Sequence, residues 1–196
     1  MSIMSAAVML FFILDPFGNL PIFVTLLQDI PPERRRKLLI RELLIALAIM
    51  LIFLFAGNQI LSFLHITPES VSISGGVILF IIAIRLIFPS GKSSATGLAP
   101  GEEPFIVPMA VPFIAGPSIM ATLMLLANKN PDRIWDWCLA LLLAWGASSV
   151  VLMGHEIMSK VIGKKGLRAM ERLMGLLLIM ISTQMFLDGV KEYLHF

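Results

Sequence analysis

The stretch Ile13-Leu14-Asp15-Pro16-Phe17-Gly18-Asn19-Leu20-Pro21-Ile22-Phe23 decides the architecture. It sits inside an apolar run from Ile3 to Leu27, long enough to cross a bilayer, which takes about 20 mostly apolar residues. Yet it carries an aspartate and two prolines. A proline inside a helix removes a hydrogen bond and clashes with the preceding turn, at a cost of about 3 kcal/mol. Asp15 lies roughly twelve residues into the run, about 18 Å deep at 1.5 Å per residue. An aspartate at that depth costs about 3 kcal/mol on insertion scales and faces protein or water. The first span is therefore expected to break here. Asp is a favoured N-cap and Pro a favoured first helical residue, so the helix can restart at Pro16. Alternatively the break extends through Leu20 and the restart is at Pro21. Either way a helix N-terminus, with free amides and a positive dipole end, points into the membrane.

The same signature recurs downstream. Pro16, Phe17 and Pro21 reappear as Pro112, Phe113 and Pro117, each displaced by 96 residues. Six apolar segments are read in all: Ile3 to Leu27, Leu43 to Leu64, Val71 to Phe88, Phe105 to Ala127, Ile134 to Met153, and Leu173 to Leu187, the last extending towards Met170 and Val190. Between them lie connections such as DIPPERRRK, NKNPDR and GKKGLRAMER, and the Pro/Gly/Ser-rich stretch 89–104. The expected fold is an all-α integral membrane protein in one membrane domain. Residues 1–88 form a first three-helix repeat, 89–104 a cytoplasmic linker, and 105–196 a second three-helix repeat. Because three is odd, the two units enter from opposite sides, as two inverted repeats with broken first and fourth helices. Breaks at corresponding positions of two such halves point to a substrate site at mid-membrane. Glycines at Gly75, Gly76 and Gly175 are expected to let neighbouring helices approach closely.

Composition agrees with membrane residence. The 196 residues are 58% hydrophobic and only 14% charged, with a mean hydropathy of +0.91. Soluble chains carry about 25% charged residues. The amino-terminal run lacks a basic leader and a small-residue cleavage pattern, so it is read as a retained span. The 15 Lys and Arg are unevenly placed. Loops one, three and five hold Arg34, Arg35, Arg36, Lys37, Arg41, Arg85, Lys92, Lys160, Lys164, Lys165, Arg168 and Arg172; the other side holds Lys129, Arg133 and Lys191. The positive-inside rule then makes those loops cytoplasmic and puts both termini outside. The run Arg34 to Lys37 anchors this orientation against anionic lipid.

Several chemistries are excluded by motif. There is no H-E-x-x-H zinc motif, no G-x-S-x-G elbow and no phosphate-binding G-x-x-x-x-G-K-[ST]. No Cys/His cluster suggests a metal or other cofactor, and none is expected; the single Cys138 lies in an apolar run and reads as a packing residue. An enzyme is not expected, because Asp15 is the one carboxylate read clearly at core depth. That leaves gradient-driven transport as the leading class, against a membrane scaffold whose breaks only pack on each other.

For transport, the first break supplies Asp15, Pro16, Gly18, Asn19 and Pro21, and the second Ala115, Gly116, Pro117 and Ser118. Two converging helix N-termini would hold a carboxylate or another small anion. Thr122 and Gln184 are further polar lining candidates, with Thr25, Ser182 and Thr183; each such residue commonly serves instead as an interhelical hydrogen-bonding group. Asp15 is read both as a cap and as a group that exchanges a proton during transport. Arg85 and Asp188 sit near span ends and read as snorkelling to the interface. Glu102 and Glu103 read as a solvated loop before the fourth span. The partners implied are the lipid bilayer and a small solute, with no nucleic acid; a homo-oligomer stays open.

ILDPFGNLPIF, VPFIAGPSIMATLMLLA and RLMGLLLIMISTQMFLDG, in this six-span layout, resemble the MarC family (UPF0056) of bacterial inner-membrane proteins. The resemblance covers essentially the whole chain. Asp15, Pro16, Gly18, Asn19 and Pro21 match its first motif, and Ala115, Gly116 and Pro117 its second. It implies a multi-pass protein of a Gram-negative inner membrane, and a family name given for an association with antibiotic resistance. Some relatives are described as exporters of neutral amino acids such as alanine and glycine, which implies a zwitterionic substrate.

Overall fold

The computed structural model describes residues 1–27, 30–88 and 109–194, without the side chain of Leu86 and some side chains between 156 and 171. The linker 89–104, with Lys92, Glu102 and Glu103, lies outside the described residues, as does the start of the fourth expected span. All regular structure among the described residues is helical: α1 (Ile3–Leu14), α2 (Pro16–Leu27), α3 (Pro32–Phe63), α4 (Pro68–Ile87), a π-type turn at Met109–Ile114, α5 (Pro117–Lys129), a short 3-10 turn at Pro131–Arg133, α6 (Ile134–Met153) and α7 (His155–Tyr193).

Among the described residues, five stretches are long and apolar enough to cross a membrane: Ile3–Leu27, Pro32–Phe63, Pro68–Arg85, Pro131–Met153 and Arg172–Tyr193. They correspond to five of the six expected spans. The described part of the fourth is the π-type turn and the 13-residue α5, which is too short to cross alone. Large apolar side chains such as Phe12, Phe80, Leu176 and Met180 stand exposed on these helices, where only lipid suits them.

Two connections differ from the sequence reading. The basic run Arg34 to Lys37 belongs to α3, whose fixed-φ Pro32 opens the helix, so the charged residues form its first turns. The GKKGLRAMER stretch, expected as a connection, lies within α7, which runs 39 residues without interruption. The physical reason is composition: Lys, Arg, Ala, Met, Glu and Leu are strong helix formers, and two glycines at about 1 kcal/mol each do not outweigh them. The turn falls earlier, at Gly154 between α6 and α7.

Packing is between the two halves. α4 lies along α7, α1 against α6, α2 against α6 and α7, and α3 against α5, α6 and the π-type turn. The close approach expected at Gly76 is present, and the neighbour it admits is α7: a Cβ on Gly76 would lie 2.9 Å from the carbonyl oxygen of Ser182. The core between the layers is built from Leu10, Phe23, Leu39, Met50, Met109, Leu123 and Trp137, all essentially buried. One end of the bundle gathers Met1, whose carbonyl accepts from Arg133, together with Asn58 hydrogen-bonded to Asn128 and Phe55 edge-on to Trp135.

Candidate functional site

The first span breaks at Asp15. A residue before proline is disfavoured in the right-handed helical region, and Asp is among the few side chains that tolerate the left-handed one. Asp15 takes it, at φ 42 and ψ 59, and ends α1. Its carboxylate Oδ1 then accepts from the Gly18 amide at 3.1 Å, and its carbonyl accepts from the Asn19 amide at 3.0 Å. Asp15 is thus the N-cap of α2, with Pro16 as first helical residue. A Cβ at Gly18 would displace the Asp15 carboxylate from this position.

The second break has another shape. Val111 is extended (φ −128, ψ 131), and the Ala115 amide donates to the Ala110 carbonyl at 2.8 Å across a π-type turn. The helix restarts only at Pro117, after an extended Gly116 (φ −81, ψ 166). So the first half restarts on its first proline and the second half on its second. At the 96-residue offset, Asp15 corresponds to Val111, which cannot cap a helix, and Leu20 corresponds to Gly116.

This decides the electrostatics. The reading of two converging N-termini leaves both open to a ligand, whereas the reading of Asp15 as a cap closes the first. The N-terminus of α2 is occupied by Asp15 of the same chain. α5 starts with no side-chain cap, so its first amides carry the open positive end.

The breaks meet through Asn19. Its side-chain amide donates to the Leu14 carbonyl at 2.9 Å and to the Phe113 carbonyl at 3.1 Å. Each carbonyl lies where a helix stops, and an unpaired one in an apolar setting would cost about 1–3 kcal/mol. Phe23 packs edge-on to Phe113 beside this bridge, with ring centroids 6.4 Å apart.

A cavity of about 360 Å³ opens at the junction. Asp15, Gly18 and Asn19 line it from the first break, and Gly116, Pro117 and Ser118 from the second. Leu79 of α4 and Met174, Leu178 and Met185 of α7 supply much of its apolar wall. The remaining expected site residues stand elsewhere. Pro16 is buried at the start of α2, and Pro21 lies inside that helix, its carbonyl accepting from Thr25 at 3.1 Å. Ala115 is buried and lines a second cavity described below. Thr122 donates to the Ser118 carbonyl at 2.8 Å, a turn beyond the cavity. Gln184 donates to Asp188 at 2.8 Å and lines neither cavity.

Sequence reasoning missed two features. The apolar wall from α7 carries no local signal, since Met174 and Met185 look like any span residue. Glu42 was also missed: it is wholly buried in α3, with its carboxylate 3.0 Å from Arg41. Its place next to a basic run disguised it as part of a solvated loop. No group of three or more potential metal ligands occurs among the described residues.

The sequence profile described as MarC family integral membrane protein matches residues 1–194. The chain belongs to the MarC family. An Escherichia coli K12 relative, UPF0056 inner membrane protein YhgN, is 55% identical over 98% of both chains. A UPF0056 membrane protein of Buchnera aphidicola is 52% identical over 98% of both. Another, MJ1677 of Methanocaldococcus jannaschii, is 32% identical over 93% of this chain and 92% of its own length. No solved structure matches the chain. This MarC protein is therefore a multi-pass membrane protein, and its apolar spans and its likeness to YhgN agree on the inner membrane.

Proposed function

We propose that this MarC protein is a secondary transporter that exports a small neutral amino acid, or a similar zwitterion, across the inner membrane. The observation that carries the reading is the cavity where the two breaks meet. At about 360 Å³ it falls at the small end of ligand pockets, which run from roughly 300 to 1,000 Å³. One wall offers the Asp15 carboxylate and the other the open N-terminus of α5 with Ser118. A zwitterion fits that pair in one orientation, its ammonium towards Asp15 and its carboxylate towards the α5 amides. The apolar wall from α7 then limits the side chain to a small one. A scaffold with breaks that serve only packing would have no use for such a space.

The packing supports the inverted-repeat reading behind this proposal. Exchanging α2 with α5, α3 with α6 and α4 with α7 turns the α2–α6 contact into the α5–α3 contact, and α2–α7 into α5–α4. The α1–α6 contact likewise becomes that of the π-type turn with α3. Within the same proposal, Asp15 couples transport to protons, loops one, three and five are cytoplasmic, and both termini face outward.

Ligand binding tests the site directly. Alanine, glycine or serine, added in excess to detergent-purified protein, raises its unfolding temperature by mass action. Asp15→Ala abolishes that rise. If none of the three amino acids moves the unfolding temperature of the folded wild type, the zwitterion assignment is wrong.

A further inference from the structure

A second cavity, of about 460 Å³, lies behind the second break. It is lined by Ser70, Ser74, Gly75 and Ile78 of α4, and by Val111, Ala115 and Met120 from the second half. The two cavities are built in the same exchanged way. The first joins the break of the first half to α7 of the second. The other joins the break of the second half to α4 of the first. Pro112 and Pro117 line both.

Their heights in the membrane differ. α4 and α7 run antiparallel, with Gly76 against Ser182 and Phe186, and Gly189 against Glu69 and Ile73. The second cavity runs from Ile66, just before α4, along α4 to Ile78, and it takes no residue from α7. The first follows α7 from Met174 to Met185, and its one residue from α4 is Leu79. Along the shared helix pair the cavities therefore occupy opposite halves of the span. They meet where Pro117 sits on Gly75: a Cβ there would lie 2.9 Å from Pro117 Cγ and 3.1 Å from Met185 Cε. Gly75 lines the second cavity, Met185 the first, and Pro117 both.

We propose that Pro117, seated on Gly75 against Met185, is the partition between two half-channels that open to opposite faces of the membrane. The half-channel along Met174–Met185 opens at the Arg172 end, and the one along Ile66–Ile78 at the Pro68 end. Passage between them requires the Pro117 ring to leave Gly75. Because Pro117 is also the first residue of α5, such a movement carries with it the open helix end that faces the substrate. This partition gives the transport reading its alternation, but it is tested without any substrate.

Cysteine labelling in sealed membrane vesicles of both orientations reads it. Cys138→Ala removes the one native thiol. Ser118→Cys then reports the first cavity and Ser74→Cys the second, with a membrane-impermeant sulfonated maleimide as probe. The expected result is labelling of each from one face only, and from opposite faces. Ile181→Cys and Ser70→Cys repeat the measurement should either first position fold poorly. Labelling of both cavities from the same face, of either equally from both faces, or of neither in folded protein overturns the proposal.

Gly75→Ala pushes the proline ring off its seat, and Pro117→Ala removes the ring atoms that fill the contact. Each is expected to raise labelling from the wrong face severalfold. If neither does, Pro117 is not the partition. Opposite-face labelling in a protein that moves no amino acid would leave the partition standing and remove the substrate reading. Same-face labelling in a protein that does transport would do the reverse.

Discussion

The side-chain amide of Asn19 donates to the carbonyl oxygen of Phe113, 94 residues away in sequence, at 3.1 Å and so joins the two backbone breaks. Its second amide hydrogen goes to the Leu14 carbonyl, at the end of α1. One residue therefore holds both chain interruptions in register and occupies the wall of the cavity between them.

Asn19→Leu keeps the volume and removes both donors. Two carbonyls then lose partners in an apolar setting, where each unmet group costs about 1–3 kcal/mol. The variant is expected to unfold at a clearly lower temperature in detergent. Asn19→Asp sets a carboxylate against two carbonyls and should be worse still. Wild-type unfolding temperatures for both would mean that this bridge does not hold the breaks together.

The cap and the charge of Asp15 can be separated. Asn is as good an N-cap as Asp, so Asp15→Asn should keep stability within about 0.5 kcal/mol of wild type. Asp15→Ala loses the cap and should cost about 1 kcal/mol. Gly18→Ala should resemble it, because the added methyl displaces the same carboxylate. Thermal unfolding of the three variants side by side checks this; equal stability of all three would remove the capping role.

The first break was legible because its residues act locally. Asp15-Pro16 ends one helix and starts the next through neighbours in sequence, and Ile134–Met153 appears as α6 because its apolar run is bounded by turn residues. The course of the second break was not legible. Pro112 and Pro117 match Pro16 and Pro21, but the missing cap at Val111 moves the restart by five residues. Arg34 to Lys37 read as a loop because charge marked a boundary, whereas helix propensity ignores that boundary. The partner of Asn19 was invisible for a different reason: a side chain that reaches a carbonyl in the other half leaves no local pattern. The walls from α4 and α7 are hidden likewise, since spans apolar on nearly every face give no period to say which face meets protein.

The proposed orientation rests on charge and is checked by fusions. A reporter that is active only outside the cytoplasm should be active when joined after the last residue, Phe196, and inactive when joined after Lys37. The opposite pattern would reverse the topology.

The central claim is that the junction of the two breaks is a transport site. Its most direct test is efflux of labelled alanine, glycine and serine from proteoliposomes, with and without an imposed pH gradient, for wild type and Asp15→Asn. The expected result is efflux by wild type that responds to the gradient, and its loss in Asp15→Asn despite a folded protein. No efflux of any of the three by folded wild type, or gradient-dependent efflux by Asp15→Asn at the wild-type rate, would contradict the account.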